Sequence, residues 1–373
     1  MAIPLCSYFN KCGGCCAQHI DYVLQLGNKK KQVQRVTGRE DVLVFSDIEY
    51  HYRNRMDFVF FSGGVGFREK GNSTSLVDVA RCVISEEKLN VLLSEVHDFF
   101  MKVDVFNLYK KRGTFRYAVI RVTRRGDSSI SIVLNADSSR LLEGFEKVRA
   151  FAKKTTAQNV VVTLVPENKE VSISDEFEVV KGSNFLEEEL LGHVFRFSIQ
   201  GFFQNNTVMA EKMQGYVHTL LGKYDTSLGQ LLDLYCGVGT FGIINAGLFK
   251  EVVMVESVES AMDMAQENLK LNDVCNAVTH VLDARQLRKL KFGNRLFVIT
   301  DPPRSGMDMK TIHYLNELLP EVIIYISCNA EQLARDLPKF KKYEVKSAAL
   351  FDLFPQTNHC EIVVELVRID ETT

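Results

Sequence analysis

The C-terminal half of the sequence predicts an α/β fold built on a seven-stranded, mostly parallel sheet. Three observations carry this: apolar runs of strand length recur with amphipathic stretches between them, a glycine-rich turn follows the first run, and the last two runs are joined without room for a helix. Strand and helix in alternation specify parallel strands covered on both faces. In order, the runs are GQLLDLYCG, EVVMVES, AVTHVLDA, RLFVITDPP, EVIIYISC, YEVKSAALFDLF and CEIVVELVR. VESAMDMAQENLKLN and NAEQLARDLPKF, lying between earlier runs, place their apolar residues at helical spacing. PQTNH, between the last two, is short and polar, so these strands form an antiparallel hairpin at the end of the sheet. Five parallel strands closed by such a hairpin make a Rossmann-like arrangement.

The 373 residues, 46% of them hydrophobic, suffice for two domains with separate cores. We expect residues 1–40 to form a metal-binding N-terminal segment completed by Cys82, 41–192 a central α+β region, and 193–373 the Rossmann-like domain. No apolar run approaches the roughly 20 residues that cross a bilayer. The start, MAIPLCSYFNKCGGCC, lacks the charged and apolar regions of a secretion signal, so a soluble cytoplasmic protein is expected.

A net charge of −2 argues against a uniformly basic nucleic-acid binder, but the charge is unevenly spread. Residues 1–130 hold 20 Lys+Arg against 14 Asp+Glu, and the remainder 25 against 33. Basic clusters fall at Asn28 to Arg39, Tyr52 to Phe58 and Tyr109 to Arg125, the last two interleaved with aromatics. Cations beside aromatics grip phosphates and stack bases, which points to RNA as a partner.

Cysteine spacing points to a metal. Cys6-x5-Cys12-x2-Cys15 has glycines between its last two thiols, which let the backbone wrap around one centre, and Cys82 is the remote fourth candidate. Tetrahedral zinc commonly uses two C-x2-C knuckles, so an iron–sulfur cluster is the preferred reading. The Cys16 side chain must point away from that of Cys15, which removes it from the set.

The first C-terminal strand ends in DLYCGVGTFGI, where Gly237, Gly239 and Gly242 match a nucleotide-binding turn. Glu256 ends the second strand, where it can accept bonds from ribose hydroxyls, and Asp283 ends the third, near an adenine. This layout alone specifies only an adenosine cofactor. TDPPRSGMD delivers Asp301 to the carboxyl end of the fourth strand, with Arg304 where enzymes methylating exocyclic amines carry an aromatic. The fifth strand delivers Cys328, before a helix whose dipole is expected to favour the thiolate. The antiparallel last strand starts at Glu361, which thereby meets Cys328. A thiol and a carboxylate beside a methyl donor suit methylation at pyrimidine C5: Cys328 attacks C6, C5 takes the methyl group, and Glu361 removes the C5 proton.

At this point the chain resembles the RNA (uracil-5-)-methyltransferases, which act on uridines of tRNA or large-subunit (23S) rRNA. The resemblance rests on CSYFNKCGGC with Cys82, GFFQNN, DLYCGVGTF, DPPR, ISCNAEQLARDL and FPQTNHCE, in the family's order. It implies a class I methyltransferase domain in which Gln204, Tyr235, Thr240, Glu256 and Asp301 contact S-adenosylmethionine or frame the uracil. It further implies a 4Fe–4S cluster on Cys6, Cys12, Cys15 and Cys82, and the roles just argued for Cys328 and Glu361. Many relatives carry an N-terminal β-barrel that is expected to be absent here, leaving RNA recognition to the middle of the chain. Cys360, where relatives have an apolar residue, is read as a packed neighbour. A monomer is expected. Formation of 5-methylcytosine ranks lower because DPPRSG holds no second cysteine, and a non-catalytic RNA-binding protein is the reading from another class.

Overall fold

A computed structural model describes residues 2–369. Its first elements are α1 (Tyr22–Thr37) and β1 (Leu43–Phe45), followed by β2 (Arg55–Phe61), β3 (Gly64–Glu69), β4 (Asn72–Asp78), α2 (Glu87–Phe100), β5 (Phe115–Val122), β6 (Ser128–Asn135), α3 (Leu141–Ala152), β7 (Asn159–Val165) and β8 (Phe177–Lys181). A two-stranded ribbon, β9 (Phe185–Leu190) and β10 (His193–Ser198), leads to α4 (Thr207–Leu221). Then come β11 (Gln230–Leu234), α5 (Thr240–Asn245), β12 (Glu251–Glu256), α6 (Glu259–Leu271), β13 (Ala277–Val281), β14 (Leu296–Thr300), α7 (Met309–Leu318), β15 (Val322–Ser327), α8 (Ala330–Asp336), β16 (Tyr343–Phe351) and β17 (Glu361–Arg368). Among the described residues no helix is long and apolar enough to cross a membrane.

The chain divides into two units. The first takes the segment up to Asp21 with Ile48–Glu188 and Ser198–Thr207. Its sheet has the order β4-β3-β2-β5-β6-β7-β8, antiparallel except where β6 meets β7. Along β2, buried and half-buried residues alternate, as expected of a sheet with one face on a core. Met56, Phe58 and Phe60 pack with Leu89, Leu92, Leu93 and Val96 of α2 and Phe151 of α3. Two cations of the expected basic surface belong to this interior instead. The buried Arg116 guanidinium donates to the carbonyls of Val165, Pro166 and Lys169 and lies over the Phe106 ring, and the buried Arg121 donates to the Gly201 carbonyl.

The second unit takes Tyr22–Asp47, Glu189–Phe197 and the chain from Val208 onward. Its sheet order is β1-β16-β17-β15-β14-β11-β12-β13, with the seven expected strands in a Rossmann-like order. β14 and β15 are buried throughout, as central parallel strands covered on both faces must be. β16 and β17 form the expected antiparallel hairpin, and β17 also runs antiparallel to β15. The eighth strand is a correction: β1 adds parallel to the edge strand β16, Leu43 opposite Ala349 and Phe45 opposite Phe351. Three residues are too few for a strand period to show in sequence.

The expected division at residues 40 and 192 differs from these units. Helix α1 packs on the second unit through Gln25, Lys29, Val33 and Thr37, a four-residue repeat on one face. Three of those four residues are polar, so the stripe reads as part of a solvated basic helix. Lys29, counted above among the RNA-facing cations, is buried against Asp352 at 2.7 Å.

Candidate active site

The turn after β11 needs three left-handed residues within five, Tyr235 (φ +63°), Gly237 (φ +54°) and Gly239 (φ +88°). At Gly239 a side chain would also crowd the buried Met254, whose Cε lies 2.3 Å from an added Cβ and would have to shift. Nothing lies within 4 Å of a Cβ built on Gly237, so the backbone is open to a ligand on that side. The Gly242 N–H donates to Asp233 Oδ2 at 2.7 Å, tying the first turn of α5 to β11. Burial, and after it the charges of Asp301 and Glu256, raise the Asp233 carboxyl to about 7 against the opposing Gly242 bond. Sequence reasoning passed over Asp233, although it is the one charge inside an apolar strand.

Glu256 leaves the end of β12 and accepts from the N–H groups of Gly237 (3.2 Å), Ser257 (2.7 Å) and Val258 (2.9 Å). Asp283 caps the following 3-10 turn by accepting from the Arg285 N–H, and the Arg285 side chain is the main cause holding its carboxyl down at about 2. The Thr240 hydroxyl accepts from Gln214 Nε2 at 3.0 Å. Parallel pairing of β11, β12 and β13 brings Tyr235, Glu256 and Asp283 to one rim. An open backbone turn flanked by two acids can receive an adenosine-bearing ligand. Of the cofactor residues named from sequence, only Gln204 belongs to the first unit, where Asn54 Nδ2 donates to its carbonyl at 3.1 Å.

A second group forms where β14, β15 and β17 lie side by side. Thr300 pairs with Tyr325 and Ser327 with Ile362, so Asp301, Cys328 and Glu361 emerge as neighbours at the same edge. Their titration is mutual. Burial, then Asp301, pushes Glu361 well above the ordinary carboxylate range, against the opposing Arg304 charge. Burial raises Asp301 to about 7. The Arg304 guanidinium donates to His359 Nδ1 at 2.9 Å, and the Arg304 carbonyl accepts from Asn329 Nδ2 at 2.9 Å. Beneath this loop, buried Asp336 accepts from Tyr325 Oη (2.8 Å) and the Met307 N–H (3.3 Å).

Cys328 corrects an expectation. Burial, then the charges of Glu361 and Asp301, lifts its thiol from the ordinary 9.0 to about 11, with only Arg304 and a backbone bond opposing. The dipole of a seven-residue helix does not outweigh desolvation and two carboxylates. The thiol form therefore holds at neutral pH, and its proton must be taken up when it reacts. Carbamidomethylation of Cys328 by iodoacetamide, followed by peptide mass spectrometry, should accelerate about tenfold per pH unit from pH 7 to 10. A plateau near pH 8 would contradict the raised thiol. Cys360 is buried, with its thiol pushed up to about 12 chiefly by burial.

In the first unit, Cys6, Cys12, Cys15 and Cys82 line one cavity of about 440 Å³; Cys16 is not in its wall. Burial raises the thiols of Cys6, Cys12 and Cys15, the last to about 12, and each is raised further by Cys82. The Gly14 N–H donates to Cys12 Sγ (3.3 Å), and the Cys6 N–H to Gln18 Oε1 (3.0 Å). Four thiols facing one cavity are the right donor chemistry for a thiolate-held centre. As they stand, no three His, Cys, Asp or Glu side chains among the described residues close to ion-holding distance.

Comparison with known proteins supplies a context for this geometry. The family model described as tRNA (Uracil-5-)-methyltransferase matches residues 21–369. A Caldanaerobacter subterraneus protein named an uncharacterized RNA methyltransferase is 35% identical over 377 residues, covering 96% of this chain and 83% of the relative. The tRNA (uracil(54)-C(5))-methyltransferase of Pyrococcus horikoshii is 32% identical over 365 residues, covering 97% and 85%. The crystal structure of Pyrococcus abyssi tRNA (uracil-54, C5)-methyltransferase in complex with S-adenosyl-L-homocysteine superposes with a TM-score of 0.80 at 30% identity, covering 95% of this chain and 86% of that one.

Proposed function

Because the chain belongs to the tRNA (uracil-5-)-methyltransferase family, we propose that it transfers a methyl group from S-adenosylmethionine to C5 of a uridine in tRNA. The observation that carries this reading is the convergence of Asp301, Cys328 and Glu361 at the edge of β14, β15 and β17. Tyr235, Thr240, Glu256 and Asp283 are the residues proposed to hold the donor, and Asp301 to frame the uracil. When bound, S-adenosylmethionine supplies an electrophilic methyl group and a positive sulfonium charge that favours the carboxylate form of Glu361.

The steps of this chain's own residues follow from their chemistry. Cys328 gives up its proton to the Asp301 carboxylate, which leaves Glu361 ionised for the later step, and Sγ bonds to C6 of the uracil. The C5=C6 electron pair moves toward O4, which makes C5 nucleophilic. Once C5 carries the methyl group, Glu361 removes its proton, the C5=C6 bond re-forms and the C6–S bond breaks, returning Cys328. Arg304 opposes the negative charge of Cys328 and Glu361 throughout. The target uridine must leave its stack, because attack at C6 needs a face of the ring that stacking hides. Among the expected RNA-facing clusters, Tyr109, Lys110, Lys111 and Arg112 are exposed and offer a ring with three cations.

The test is nucleoside mass spectrometry on unmodified tRNA and large-subunit rRNA transcripts incubated with labelled S-adenosylmethionine. Label in 5-methyluridine from tRNA is the expected result. Label in rRNA alone would overturn the substrate, and label in 5-methylcytidine would overturn the role given to Glu361.

We propose further that Cys6, Cys12, Cys15 and Cys82 hold a 4Fe–4S cluster that pins the N-terminal segment to the Cys82 region. Supporting this are the shared cavity and the thiol donor set. Anaerobically purified protein should contain about four iron and four sulfide per chain, lost in Cys82→Ala together with resistance of the N-terminal segment to proteolysis. Zinc in place of iron, or an unchanged iron content in the variant, would contradict it.

A further inference from the structure

Nine residues, 352–360, join β16 to β17, and the strands on either side are in register with Phe351 opposite Glu361. The segment reads as a polar surface turn, yet Asp352, Gln356 and Thr357 are buried. Three side chains from one face of α1 reach it. Tyr22 Oη donates to Asp352 Oδ2 at 2.9 Å and Lys29 Nζ to Asp352 Oδ1 at 2.7 Å, so each carboxylate oxygen has a donor. Lys29 donates also to the Phe354 carbonyl at 3.1 Å. Gln25 and Gln356 exchange bonds: Gln25 Nε2 donates to Gln356 Oε1 (3.0 Å), and the Gln356 N–H donates to Gln25 Oε1 (3.1 Å). The turn also holds a strained residue, since Gln356 itself is left-handed at φ +66°.

Burying an ion pair and two amides is an expensive way to stabilise a hairpin, because desolvation offsets most of the attraction. What such a group does well is select one conformation, since alternatives leave a buried charge or amide unpaired. The conformation selected here decides where the strand after the turn begins, and that strand begins with Glu361. We infer that Tyr22, Gln25 and Lys29 of α1 are positioning residues for the general base, fixing the 352–360 turn so that Glu361 stands beside Cys328. The inference rests on the proposed role of Glu361 and adds to it a helix whose residues touch no reacting atom.

Loss of positioning should spare every step before proton abstraction and slow that one, leaving the methylated Cys328–C6 adduct to accumulate. Gln25→Ala and Tyr22→Phe are the variants of choice, since Lys29→Met strands a buried carboxylate and risks the fold. With tRNA transcript, kcat is expected to fall about tenfold for Gln25→Ala and less for Tyr22→Phe. KM for RNA should stay unchanged, and a protein–RNA adduct resistant to denaturing electrophoresis should build up. An unchanged kcat, with or without a lower melting temperature, would overturn the inference and leave α1 a purely stabilising element. So would a lower kcat without adduct, or a raised KM. Glu361→Gln separates the two claims: if it accumulates adduct and Gln25→Ala does not, this inference alone fails, and if it does not, the role of Glu361 fails.

Discussion

Cys328→Ala is expected to abolish 5-methyluridine formation, with kcat falling on the order of 10⁴-fold or more, while RNA and donor binding persist. Uracil C5 has no useful nucleophilicity until a group adds at C6, so the donor cannot compensate for the missing sulfur. Nor does another thiol stand ready. Cys360 is the nearest in sequence to the base, but it is buried and its thiol is pushed up to about 12. Measured single-turnover methyl transfer with labelled donor should be at background in the variant, and residual transfer within about tenfold of wild type would remove Cys328 from the reaction.

Glu361→Gln should give a different phenotype. The amide preserves size and one acceptor oxygen but accepts no proton, so the sequence stops after methyl transfer. Turnover is expected to fall by about 10²- to 10⁴-fold, the range for loss of a positioned base. The blocked step leaves Cys328 bonded to a uridine already methylated at C5, an adduct visible as an RNA-dependent shift on a denaturing gel. The pH behaviour has a definite sign. Glu361 is raised well above its ordinary range, so lowering the pH favours its acid form and slows proton removal, and raising it restores the base. In the wild type, adduct formed at pH 8.5 and then shifted to pH 6 should therefore resolve more slowly than adduct kept at pH 8.5. Equal decay at both pH values, with normal turnover in the variant, would assign the base elsewhere.

The sequence discloses the sheet where its strands are continuous apolar runs, as in LFVIT and VIIYIS, which become β14 and β15. It also discloses that Cys328 and Glu361 share one edge, because a hairpin too short for a helix can only return antiparallel. What escapes it are features set by tertiary burial of polar residues. Helix α1 shows the core Gln25 and Lys29, and so resembles a solvated basic helix. Arg116 lies between Phe115 and Tyr117 as in an RNA-facing strand, yet it and Arg121 are buried and donate to backbone carbonyls. Asp233 gives no spacing signal. The raised Cys328 thiol escapes it too, because the helix after Cys328 is visible in sequence, whereas burial and the convergence of Asp301 and Glu361 are not.

The most direct test of the account is to trap the nucleophile on its substrate. A tRNA transcript carrying 5-fluorouridine in place of uridine has fluorine where the departing proton should be, so the adduct formed after methyl transfer cannot resolve. Incubation with S-adenosylmethionine, protease digestion and mass spectrometry should return one modified peptide, with methylated fluorouridine bonded to Cys328. A stable adduct mapped to any other residue, or none while ordinary tRNA is still methylated, would contradict the mechanism at its first step.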